Sequence, residues 1–69
     1  MKQFGDFVEV NVDQYGHMWI SAKHVVLVRQ SGELDRCDVM CDDGSYYDVM
    51  MSAPAFLNKL DQAINNKKA

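Results

Sequence analysis

From Phe7 to Val12 the chain alternates strictly. Extended, this segment puts Val8, Val10 and Val12 on one face and Glu9 and Asn11 on the other. A segment with this period must lay one face on a core and leave the other outside, so the chain has to build a sheet with two chemically different sides. Asp13-Gln14-Tyr15-Gly16 then supplies turn chemistry, an Asx-turn former followed by a glycine free to take positive φ, and predicts a hairpin into His17–Ser21. Val25-Val26-Leu27-Val28 is a continuous β-branched run, which suits a strand buried on both faces near the sheet centre. After the polar stretch 31–36, Cys37–Cys41 alternates again. Asp43-Gly44, a strong hairpin signal, leads into Tyr46–Met51.

At Ser52 the period changes. Ser52 is suited to cap a helix, Pro54 is tolerated in a first turn, and Ala53, Phe56, Leu57, Leu60, Ala63 and Ile64 recur at helical spacing opposite Asn58, Lys59, Asp61, Gln62 and Asn65. Lys67 and Lys68 complement the carboxyl end of such a helix. The expected fold is α+β, a small antiparallel β-meander of about five strands, open or curled into a partial barrel, followed by one amphipathic helix. The strands fall at about 5–12, 17–21, 25–30, 37–41 and 46–51 and the helix at about 53–65, all in one domain.

A chain of 69 residues buries a thin core, and scaffolds of this size gain stability from disulfides, a metal, close packing or association. An apolar content of 48% argues against disorder, and the longest apolar runs are far too short to span a bilayer. The first residues, Met-Lys-Gln-Phe-Gly-Asp, do not read as a secretory signal, so a cytoplasmic location is expected. There Cys37 and Cys41 stay reduced and act as packing residues. The net charge of −3 with scattered cations argues against a nucleic-acid partner.

No catalytic constellation stands out, and the chain is expected not to be an enzyme and to carry no cofactor. Cys37 and Cys41 lie four residues apart on one strand, about 13 Å, too far to share a metal ion or a disulfide. Asp38, Asp42, Asp43 and Asp48 lack the ligand spacing of a calcium loop and fit hairpin chemistry better. Ser21, His24 and Asp38 make a triad only on paper, with no glycines around the serine to build a nucleophile elbow.

The second sheet face is more informative. If Val8, Val10, Val12, Met18, Ile20, Cys37, Val39, Cys41, Tyr47 and Val49 face the helix, opposite parity exposes Phe7, Trp19, Leu27, Met40, Tyr46 and Met50. An apolar second face rich in aromatics and methionines is an interface signature, and self-association is expected.

Trp19-Ile20-Ser21-Ala22-Lys23-His24-Val25-Val26, then Asp43-Gly44 with Tyr47 and Val49, then Ser52 leading to Phe56, Leu57 and Leu60, resemble the small FlbD-type (flagellar and swarming motility) proteins and related short β-rich proteins of bacteria and phages. That resemblance spans about residues 17–64 and implies a non-enzymatic regulatory role. The expected function is a non-catalytic interaction module, a homo-oligomer of the kind bacteria or phages use to bind and inhibit or regulate a protein target. An alternative from another class is an oligomeric binder of a nucleotide signal, with Trp19 stacking on the base and Lys23, His24, Arg29 or Arg36 meeting phosphate. A third is a DNA-associated regulator, which the charge disfavours.

Overall fold

The computed structural model describes residues 6–65. Five strands, β1 (Phe7–Val12), β2 (Gly16–Ser21), β3 (Val25–Gln30), β4 (Cys37–Cys41) and β5 (Tyr46–Val49), precede one helix, α1 (Ala53–Asn65), with a single 3₁₀ turn at Ala22–His24. The α+β antiparallel architecture is the one the alternating pattern predicts. Gly5, at the expected start of the first strand, and Lys67 and Lys68 lie outside the described residues. The fifth strand stops at Val49 rather than Met51. The Met50 N–H crosses to the Asn11 carbonyl and the Met51 N–H folds back on the Val49 carbonyl, each at 2.9 Å, which turns the chain toward the helix.

The strand order is β2-β1-β5-β4-β3, so the sheet is not the simple meander expected. Two runs of hairpin-connected strands, β1–β2 and β3–β4–β5, are joined side by side where β1 meets β5 at Val12 and Val49. The reason lies at residues 22–24. The 3₁₀ turn takes the chain off the end of β2 instead of reversing it into a neighbouring strand. Asp6 holds that turn from the start of β1, accepting the Ser21 hydroxyl and the Lys23 N–H on its carboxylate and the Ala22 N–H on its carbonyl.

This connection also curls the sheet. Five flat strands would hold β2 and β3 about 19 Å apart. The 3₁₀ link between them, at about 2 Å per residue, advances only about 8 Å. The two unpaired edges therefore approach each other at that end, and the result is an open sheet bent around its core.

β3 is one of those edges, not a central strand buried on both faces. None of its residues is fully buried. The apolar run arises from a bulge: the register slips between Val25 and Leu27, which ejects Val26 from the ladder to 61% exposure. Val25 and Val28 then face the core while Leu27 faces out, so one-sided burial produces four consecutive apolar residues.

Every residue predicted to face the helix belongs to the core or packs on it. Val8, Val10, Val12, Ile20, Cys37, Val39, Cys41 and Val49 are buried with Ala53 and Phe56, and Met18 and Tyr47 pack against them. The helix stripe is narrower than its periodicity implies. Phe56 is wholly buried and Leu60 and Ala63 pack on the core, but Leu57 and Ile64, one heptad apart, stay about half exposed because α1 lies on the curled sheet along one narrow line. Its start is secured as the sequence predicts, by the Ser52 Oγ accepting the Ala55 N–H at 3.3 Å.

Candidate interaction surfaces

The outer face of β3–β4–β5 is organised in rows by the cross-strand register. Leu27 pairs with Met40 and Met40 with Tyr46, which makes an apolar row across three strands. The next row is Arg29, Asp38 and Asp48. Two carboxylates directly opposite each other repel, and each is met by an arginine. Arg29 donates to Asp38 at 3.2 Å and to the Tyr46 hydroxyl at 3.1 Å, and those two contacts hold its guanidinium firmly protonated. Arg36 reaches Asp48 at 3.3 Å, Asp13 at 3.6 Å and Glu33 at 3.8 Å.

Of the six residues predicted for an interface, Leu27, Met40 and Tyr46 form this row. Phe7 and Trp19 form a second group, diagonal neighbours on β1 and β2, because Phe7 lies opposite Ser21 and Trp19 opposite Glu9. Trp19 also stacks on His17 with ring centroids 5.4 Å apart, and His17 is hydrogen-bonded to Glu9. Met50 follows β5 at the far end of that strand. β1 and β5 meet only near Val12 and Val49, so Phe7 and Tyr46 run away from that pairing in opposite directions and the six do not form one continuous patch.

A cleft of about 310 Å³ opens between β2 and the tip of the β4–β5 hairpin. Its floor is core-facing and apolar: Met18, Ile20, Cys41 and Tyr47. Its rim is polar apart from Trp19, with Ser21, His24, Asp42, Asp43 and Ser45. The hairpin tip is shaped by the Asp-Gly signal. The Asp43 carboxylate accepts the Ser45 N–H at 2.9 Å, which lowers its pKa, and Gly44 takes φ of +89°. The His24 ring bonds the Asp42 carboxylate at 2.9 Å, and that bond raises the His24 pKa. The thiols of Cys37 and Cys41 are pushed up by burial first and by neighbouring aspartates second. Both are free.

Of the five residues considered for a nucleotide, Trp19 and His24 share this cleft, Lys23 is exposed on the 3₁₀ turn and outside the cleft lining, and Arg29 and Arg36 are engaged with carboxylates elsewhere on the sheet. Ser21 and His24 share the cleft rim, but Asp38 lies apart from them on the outer face, and each of the three is bonded to a different partner. Ser21 donates to Asp6, His24 pairs with Asp42 and Asp38 pairs with Arg29. Among the described residues no group of three or more His, Cys, Asp or Glu side chains is placed to hold a metal ion, and no helix is long and apolar enough to cross a membrane. Sequence reasoning missed the cleft, because it depends on two segments brought together by the curl and leaves no local pattern in the chain.

No protein-family model, curated protein or solved structure matches this chain.

Proposed function

We propose that this chain is a non-catalytic protein-interaction module that self-associates through the outer face of β3–β4–β5 and binds and regulates a protein target, in the manner of small bacterial or phage accessory proteins. The observation that carries the reading is the row Leu27–Met40–Tyr46 beside the charged row Arg29–Asp38–Asp48, an apolar strip with a polar margin such as protein interfaces use. Among the described residues ten large hydrophobic side chains are exposed, Leu27 and Tyr46 of this row among them, beside a core of eleven buried apolar residues. Small domains recover missing core by association.

Sedimentation equilibrium tests the reading. The wild type should exceed the 7.9 kDa monomer mass at high micromolar concentration. Met40→Glu, which would bury an unpaired carboxylate in the contact, should return it to monomer with its β circular dichroism intact. A wild type of monomer mass throughout that range overturns self-association.

A further inference from the structure

The cleft beside β2 has a property that its residue types alone do not convey. Met18, Trp19, Ile20 and Ser21 are consecutive, and consecutive strand residues point to opposite faces, so a surface touching all four runs along the strand's edge. Among the described residues β1 is the sole ladder partner of β2, and it contributes nothing to the lining, so the edge in question is the one those residues leave unpaired. Alternate residues of an antiparallel edge strand direct N–H and C=O groups away from their partner, and here those groups face a cleft with an apolar floor. The opposite wall carries the carboxylates of Asp42 and Asp43. Asp42 is met by His24, while Asp43 accepts the Ser45 N–H and, among the described residues, forms no ion pair of its own, the charge of His24 acting on it only from farther off.

We propose that this cleft takes an extended segment of a partner protein, which adds to the free edge of β2 as a further strand, seats an apolar side chain against Met18, Ile20 and Tyr47, and places a lysine or arginine between Asp42 and Asp43. Strand addition supplies affinity through the backbone, and the floor and the carboxylates supply selectivity. Charge decides the occupant. A second copy docking by the same edge would bring its own Asp42 and Asp43 to this rim, and by any surface it carries a net charge of −3, whereas a basic segment is attracted to it. This inference rests on the interaction-module reading but not on the self-association face.

A phage-displayed library of random ten-residue peptides, selected against the wild type, against Asp42→Asn/Asp43→Asn and against Met40→Glu, tests it. The wild type and Met40→Glu should both enrich peptides that alternate apolar residues and carry a lysine or arginine. The double variant should lose the preference for the basic residue and bind the wild-type winners at least fivefold more weakly. On titrating a selected peptide, the Trp19 emission should shift and the β2 amides should gain exchange protection, and N-methylation of alternate peptide amides should abolish binding. The proposal is overturned by absence of enrichment, by enrichment of peptides without a basic residue, by unchanged binding to the double variant, or by amide protection of β2 through a second copy in the absence of peptide. Loss of selection by Met40→Glu alone would also overturn it, by moving the binding site to the outer face, while a monomeric wild type that still selects basic strands would fail only the self-association reading.

Discussion

The side-chain carbonyl of Gln30 accepts the backbone N–H of Ala53, the first residue of α1, at 2.8 Å. The amide nitrogen of the same side chain donates to the carbonyls of Glu33 and Arg36, at 3.0 and 2.9 Å. One glutamine thus ties the edge strand, the 31–36 loop and the helix start together. Gln30→Ala should lower stability by about 1 to 2 kcal/mol, the cost of leaving such groups without partners, or roughly 4 to 15 °C in melting temperature for a domain this small. Urea denaturation followed by circular dichroism measures it, and a change under 0.5 kcal/mol, about the size of an exposed substitution, would show that water replaces these bonds without cost.

Phe56 and Leu57 are adjacent on α1 and differ completely in burial, at 0% and 50% exposed. Phe56→Ala should cost about 3 to 5 kcal/mol because it opens a cavity under the sheet, and Leu57→Ala about 1 kcal/mol or less. Chemical denaturation of the two variants separates a helix docked along a narrow line from one that buries its whole apolar stripe, for which both losses would be large.

Gly44 has φ of +89° and nothing within 4 Å of where a Cβ would stand. Gly44→Ala therefore isolates the backbone term, an expected loss of about 1 to 2 kcal/mol with no clash. Gln14 holds φ of +76° with a side chain in place. Gln14→Gly should change stability in the opposite direction, by a smaller amount because glycine also loses more entropy on folding. Melting curves of the two turn variants provide the comparison.

Bonding to Asp42 raises the His24 pKa above its ordinary 6.5. A group whose pKa is higher in the folded state binds its proton more tightly there. Its contribution is thus fully present below the unfolded value and is lost as pH rises through the folded one. Wild-type stability should fall slightly through this pair as pH rises from the ordinary value of 6.5 through the higher folded one, and Asp42→Asn should remove that component. Proton NMR of His24 gives the independent reading, with a midpoint that drops in the variant. An unchanged midpoint would show that the pair does not persist in solution.

The inward-facing residues of β1, β2, β4 and β5 and the starts of most elements were legible in the sequence, because both follow from local periods and turn chemistry. The alternation of Val8, Val10 and Val12, the Asp43-Gly44 tip and the Ser52 cap each act within a few residues of the chain, and each appears in the structure in its expected role. Who neighbours whom was not legible there. The run Val25–Val28 reads as a doubly buried central strand, yet a one-residue bulge makes it an edge, and a bulge leaves the composition of the run unchanged. The pairing of β1 with β5, the separation of Phe7 and Trp19 from the Leu27–Met40–Tyr46 row, and the cleft between β2 and the Asp42–Ser45 tip all follow from the Ala22–His24 turn. That turn curls the sheet by fixing how far apart its two edges can be. Such a distance between segments remote in sequence is set by the closed geometry of the whole chain, and no local pattern of residue types encodes it.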